Sequence, residues 1–218
     1  MTAEDILEGG ARGKATAVAY LRDAVLSGEL IPGQRLVESD FVELIGVTRG
    51  SLRAAIDELV SEELLERTPH RGARVRSVSL AQAVEILECR KVLEGLIAAK
   101  AAERIGPDGV ERLTGLAERF DGDPRDRDAR QNSLLNQELH ALLAELAGQT
   151  TAADLIGRLN AQIVRHQFQL SLRPGRPQVS APQHLAIIKA VTARDPAAAQ
   201  QAVHVHLDSV IEALRAAT

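Results

Sequence analysis

The sequence predicts a mainly α-helical chain in two parts, a small N-terminal unit with a short hairpin and a larger bundle of helices. Three observations predict it. Residues 14 to 61 carry apolar side chains at spacings of three and four in three short runs separated by glycine-bearing turns. Residues 64 to 76 then switch to a period of two around a five-residue connection. From residue 79 onward helix breakers recur at intervals that leave six helical stretches.

Helix one is expected over residues 14 to 27, where Ala17, Leu21, Ala24 and Val25 share a face and Gly28 offers a natural stop. Residues 1 to 13 are left as an N-terminal extension without a role. Ile31-Pro32-Gly33-Gln34-Arg35-Leu36 reads as a turn into a short extended piece, after which Ser39 can cap a helix through Phe41, Val42 and Leu44. Gly46 closes that helix. Thr48 caps a third, with Leu52, Ile56, Leu59 and Val60 on its apolar face. Leu64-Leu65-Glu66-Arg67 and Ala73-Arg74-Val75-Arg76 then form a hairpin around Thr68-Pro69-His70-Arg71-Gly72. Two helices in tandem, the second opening on Thr-Arg, followed by a basic-tipped hairpin, are the arrangement of a winged helix-turn-helix.

Beyond a boundary near Ser77 to Ser79, helices are expected at about 79 to 105, 108 to 121, 126 to 147, 151 to 172, 179 to 194 and 196 to 216. Their breaks are Gly106-Pro107-Asp108, Asp121-Gly122-Asp123-Pro124, Gly148-Gln149-Thr150, Arg173-Pro174-Gly175-Arg176-Pro177 and Asp195-Pro196. The domains are therefore expected at residues 14–77 and 78–218.

Composition narrows the function. The 218 residues are 45% apolar and 26% charged, enough for a true core. No stretch approaches the roughly 18 uncharged apolar residues of a membrane span, and the opening residues carry acids where a secretory signal carries bases, so a cytoplasmic location is expected. A single cysteine, Cys89, excludes an internal disulfide and a multi-thiolate metal site. Aromatic residues at 2% exclude a base-stacking platform for single strands. The chain also lacks His-Glu-x-x-His, a P-loop, Gly-x-Ser-x-Gly and Gly-x-Gly-x-x-Gly, which argues against an enzyme. Net charge is −4, but in the first 76 residues the acids cluster at 38 to 43 and 57 to 66. Arg49, Arg53, Arg67, Arg71, Arg74 and Arg76 are read as standing in acid-free surroundings, a local surface for phosphate.

Residues 14 to 216 resemble the GntR family of bacterial transcription regulators. The resemblance rests on Gly28-x-Leu30-x-Pro32-Gly33-x-Arg35-Leu36, on Gly46-Val47-Thr48-Arg49-x-Ser51-Leu52-Arg53-x-Ala55, and on Leu59, Leu64-Leu65 and Arg71-Gly72-x-x-Val75. Gly50 and Ser51 stand where the family more often has Thr-Pro. The second half looks like the FCD effector domain of the FadR subfamily, through Arg90-x-x-Leu93-Glu94, His140-x-x-Leu143, His184-x-x-Ile187 and His206-Leu207, with six helices placing it nearer the VanR-like branch.

DNA binding is expected from Thr48, Arg49, Ser51 and Arg53 in the first turns of the third helix, where side chains reach base edges and backbone N–H groups face phosphates. Arg49 and Arg53 share one helix face, and arginine's planar fork suits guanine. His70, Arg71 and Gly72 form the expected wing tip, and Arg35 resembles the family's phosphate-binding arginine. One such unit reads too little DNA, so a homodimer on a palindrome-like double-stranded operator is expected, joined largely through the effector domains.

In the second part, polar residues interrupt apolar stripes. Asn136 and His140 lie four apart. His184 precedes Asp195 by 11 residues and His206 follows it by 11, which puts both at the same height of an antiparallel pair turning there. His204 is expected to face solvent. Three imidazoles and one oxygen suit Zn²⁺, Ni²⁺, Mn²⁺ or Fe²⁺ with positions open for a ligand. The resemblance implies a metal at this place, with Asn136 where Asp is common. Arg90 sits inside an apolar stripe, so either Glu94 or another acid neutralises it, or a carboxylate effector beside the metal does, which is the reading adopted. Arg165 is a second cation of this kind. The expected function is a transcription regulator, a repressor by resemblance, governed by a small carboxylate. A metal sensor of the same architecture and an all-α metalloenzyme are the alternatives.

Overall fold

The computed structural model describes residues 3–68, 72–171 and 173–216, with all their side chains except those of 3–9, 26, 129, 164, 165, 168 and 171. Two compact units emerge, one of residues 1–79 with 160–165 and one of residues 80–159 with 166–218.

In the first unit, α1 (Ala3–Ser27) and α2 (Glu38–Ile45) pack on α3 (Arg49–Ser61). A three-stranded antiparallel sheet of order β1-β3-β2 completes it, from β1 (Arg35–Leu36), β2 (Leu65–Thr68) and β3 (Gly72–Val75). Leu36 lies opposite Ala73 and Leu65 opposite Val75, so each pair turns apolar side chains to one face. Those side chains join Leu21, Leu52, Ile56 and Leu59 in a single core.

Two expectations are corrected. Helix one begins 11 residues earlier than the apolar pattern indicates, at Ala3, so residues 3–13 of the extension belong to α1. Glycine weakens a helix interior by about 1 kcal/mol, but Gly10 and Gly13 lie where α1 passes α3. The Ser51 hydroxyl donates to the Gly10 carbonyl at 3.2 Å, and a Cβ on Gly13 would lie 2.9 Å from that same oxygen. Gly13 is the position that close approach requires, since a larger residue there would meet the Ser51 side chain. In α2, Ser39 is not the cap; Val37 holds that position without a side-chain bond, and Ser39 Oγ donates to its neighbour Asp40 at 3.0 Å.

The second unit contains α4 (Leu80–Arg104), α5 (Pro107–Asp121), α6 (Ala129–Ala147), most of α7 (Thr150–Ser171), α8 (Arg176–Thr192) and α9 (Pro196–Arg215). Helix α4 lies between α9 and α6, and α8 packs on α9 and α5. Leu113, Leu139, Ile187 and Leu207 sit fully buried among them. Each boundary has a local cause. Asp128 and Gln131 form a reciprocal capping box, so α6 starts at Ala129 after a separate 3-10 turn at Pro124–Asp126. Helix α8 starts at Arg176, three residues before expectation, because Pro177 falls in the first turn, where no N–H is needed. Asp195 accepts from the Ala198 N–H and opens α9. No helix among the described residues is long and apolar enough to cross a membrane.

Candidate functional site

The turn between α2 and α3 depends on Gly46, whose φ of 73° is costly for other residues. Thr48 then caps α3, its hydroxyl oxygen accepting from the Ser51 N–H at 3.1 Å. Thr48, Arg49 and Gly50 are all exposed at that end. Among the described residues no carboxylate pairs with Arg49 or Arg35, and both are exposed. Gly72, exposed at φ 80°, opens β3 beside the wing tip. His70 and Arg71 lie outside the described residues.

Two readings of this surface change. Ser51 is 5% exposed, with its hydroxyl held by Thr48 and the Gly10 carbonyl, so it anchors α1 to α3 and is not presented to a ligand. Four of the six arginines expected in acid-free surroundings also have acidic partners. Arg53 pairs with Glu38 at 2.8 Å, Arg67 with Asp57 at 2.6 Å, Arg74 with Glu66 and Arg76 with Glu63. Packing of β2 and α2 against α3, and of β2 against β3, returns those acids to their arginines, which separation along the chain concealed. Exposed pairs of this kind contribute about 0–1 kcal/mol, so a phosphate can take the carboxylate's place.

The second unit gathers His140 from α6, His184 from α8 and His206 from α9, with one nitrogen of each within 4.8 Å of the others. The rings of His184 and His206 stand 4.4 Å apart, at matching height on either side of the Asp195 turn. His184 is 1% exposed, and neither of its nitrogens has a partner among the described residues. Phe120 of α5 packs on its ring at 4.9 Å. Burial, with the charges of His140 and Arg176 assisting, lowers His184 to a pKa of about 3 and takes His206 well below the usual range. Both rings are therefore neutral at pH 7, as a metal ligand must be.

The imidazoles are also oriented. His206 Nδ1 lies 3.0 Å from Gln183 Oε1, which fixes the proton on Nδ1 and leaves the Nε2 lone pair for a ligand. His140 Nδ1 lies 3.2 Å from Glu94 Oε2. A buried cluster of nitrogen lone pairs with orphaned atoms fits a borderline divalent ion. Asn136 stands half-buried one turn before His140 on α6.

Arg90 is 5% exposed and donates through Nε and Nη2 to Glu94 Oε1, at 2.8 and 2.6 Å. Burial works to raise the Glu94 carboxyl, but Arg90 and His140 outweigh it and hold it at about 2. Arg90 is thus neutralised by Glu94, the alternative set aside above, and only its Nη1 lacks a partner. The side chain of Arg165 lies outside the described residues. His204 is corrected from solvent-facing to half-buried: its Nε2 is buried 2.6 Å from where a Cβ on Gly95 would lie, in a hollow between α4 and α9.

Three contributors escaped sequence reasoning. Gln183 and Phe120 touch the histidines through packing that no spacing rule reports, and Arg176 was read as part of a helix-breaking run; Glu94 was expected beside Arg90, but its contact with His140 was not. An arginine at the first position of a helix was the one available signal.

Residues 14–75 match the family described as bacterial regulatory proteins, gntR family, and residues 85–209 match the FCD domain. The HTH-type transcriptional repressor RspR of Escherichia coli K12 is 26% identical over 195 residues, covering 89% of this chain and 86% of that protein. An uncharacterized HTH-type transcriptional regulator in an unstable DNA locus of Streptomyces ambofaciens is 30% identical over 201 residues, 90% of this chain and 84% of that one. The solved structure of E. coli McbR/YncC shares the fold with a TM-score of 0.79 at 21% identity, covering 94% of this chain and 98% of that chain. The two sequence relatives are named as transcription regulators, not as enzymes. The chain belongs to the gntR family of bacterial transcription regulators, with a DNA-binding helix-turn-helix followed by an FCD domain.

Proposed function

We propose that this regulator is a cytoplasmic repressor whose hold on a palindrome-like operator is set by a small carboxylate bound beside a divalent ion in the FCD domain. The buried cluster of His140, His184 and His206, with both His184 nitrogens unpartnered, carries the reading. Residues 14–77 read the DNA. Arg49 contacts base edges from the start of α3, Arg53 exchanges Glu38 for a base edge or phosphate, and Arg35 with the wing residues His70, Arg71 and Gly72 holds the backbone. Residues 78–218 bind the effector and join two copies, which a two-fold operator requires.

In the metal centre the three imidazoles are the ligands, with Asn136 as the oxygen donor one turn from His140. When bound, the ion supplies a Lewis-acid seat for a carboxylate oxygen. Glu94 and Gln183 orient His140 and His206, and Phe120 and the surrounding aliphatic side chains exclude water from His184. The carboxylate changes DNA affinity only to the extent that it binds one arrangement of the two reading heads more tightly than another.

Metal analysis of the purified chain, paired with thermal-shift measurements of small carboxylates with and without a chelator, tests this. A stoichiometric ion and chelator-sensitive stabilisation are expected. Absence of both would remove the metal-carboxylate reading, and a response of DNA binding to metal alone would replace it with metal sensing.

A further inference from the structure

The two arginines near the histidine cluster differ in how their charge is balanced. Arg90 is matched by Glu94, and of its nitrogens only Nη1 is without a partner. Arg176 is half-buried at the first residue of α8, and its Nη1 reaches across to α9, where it lies 2.9 Å from Ser209 Oγ and 3.4 Å from the Ser209 carbonyl. Ser209 follows His206 by three residues, about one turn along α9. Among the described residues no carboxylate pairs with Arg176. Desolvation alone perturbs it, lowering its pKa, and its charge reaches both His184 and His206. The first turn of α8 adds its own positive potential.

The charge sum follows. An imidazole that ligates a metal is neutral and Arg90 is paired with Glu94, so a divalent ion and Arg176 together leave three positive charges in a largely buried site. A monocarboxylate leaves two of them unmatched, whereas an acid with a second anionic group leaves one. Partly buried charge of one sign is strongly unfavourable without a counter-ion.

We propose that Arg176, and not Arg90, receives the second anionic end of the effector, which is a small dianionic acid spanning from the metal to the α8 N-terminus. This rests on the metal-carboxylate reading above. Arg176 is the residue that separates dianionic from monoanionic acids, and Ser209 is the positioning residue that holds its guanidinium beside His206.

Zinc affinity of the full chain, measured by competition with a chromophoric chelator, gives the first test. Arg176→Gln is expected to tighten zinc on the order of tenfold by removing a like charge, and Arg176→Lys to restore the wild-type value. Calorimetric titration of the zinc-loaded chain with acetate, succinate and L-malate gives the second. The dianions are expected to bind at least about tenfold more tightly than acetate, and Arg176→Gln to erase that preference with a loss of roughly 10- to 100-fold. Unchanged zinc affinity together with a retained dianion preference in Arg176→Gln overturns the proposal and leaves the metal-carboxylate reading standing. Zinc binding without binding of any of the three acids overturns both, and failure to bind zinc removes the metal from the reading.

Discussion

The surface of the first unit and the buried histidine chamber of the second neutralise their charged side chains in opposite ways, although the outer surface of the second unit carries exposed pairs too, such as Arg112 with Glu145. In the first, Arg53, Arg67 and Arg74 form exposed pairs with acids of the same unit. In the second, Arg90 and Glu94 are both about 95% buried, and His184 and His206 are buried without charge. Exposed pairs are individually weak and exchangeable, so a polyanion can displace the carboxylates at little expense to folding. Buried pairs cannot be exchanged without exposing a charge to a low dielectric, so they fix geometry. The surface that meets DNA is electrostatically soft, and the chamber that holds the histidines is electrostatically rigid.

Four measurements can break or sharpen this contrast. The largest effect is expected from Arg90→Ala, which strands the Glu94 carboxylate: chemical denaturation should show a loss of about 3–5 kcal/mol. A loss below 1 kcal/mol would show that water reaches the pair. Arg49→Ala should weaken operator binding by about 1–3 kcal/mol and relax sequence preference, whereas His184→Ala leaves operator affinity intact and abolishes the effector response. Equal loss of DNA binding in both would end the division of labour between the units.

The third is acid sensitivity of the metal-free protein. His184 and His206 have folded pKa values below the unfolded value of about 6.5, so the unfolded chain binds more protons and stability falls as pH drops below 6.5 toward about 3. Between pH 6.5 and 5.5 the two rings together should cost about 2 kcal/mol, read from urea midpoints, and zinc should suppress the dependence. A flat profile would mean that the rings are hydrated. The smallest effect is expected from Arg67→Ala, at about 0–1 kcal/mol of stability, vanishing at high salt.

What was legible in the sequence follows the same division. Helix boundaries set by local chemistry, such as Thr48 before α3 and Asp195 before α9, could be read from the residues beside them. The symmetric spacing of His184 and His206 about Asp195 foretold two adjacent rings, because an antiparallel helix pair converts equal separation into equal height. Features that depend on tertiary approach were not legible. One is the extension of α1 back to Ala3, where Gly13 lets Ser51 of α3 come close. His204 looked solvent-facing because nothing in α9 reports that Gly95 of α4 leaves a hollow for its ring. The pairing of Arg67 with Asp57 spans ten residues that only the fold brings together.

The hydrogen bond from Ser51 to the Gly10 carbonyl has a practical corollary. Because it ties the opening turns of the DNA-reading helix to α1, anything fused ahead of residue 3 is coupled mechanically to the DNA-reading surface. An affinity tag or fluorescent protein placed there would load that contact directly. Fusion after α9 attaches instead to an element of the second unit and adds no load to the bond between Ser51 and Gly10, which makes it the side on which to attach a label for binding experiments.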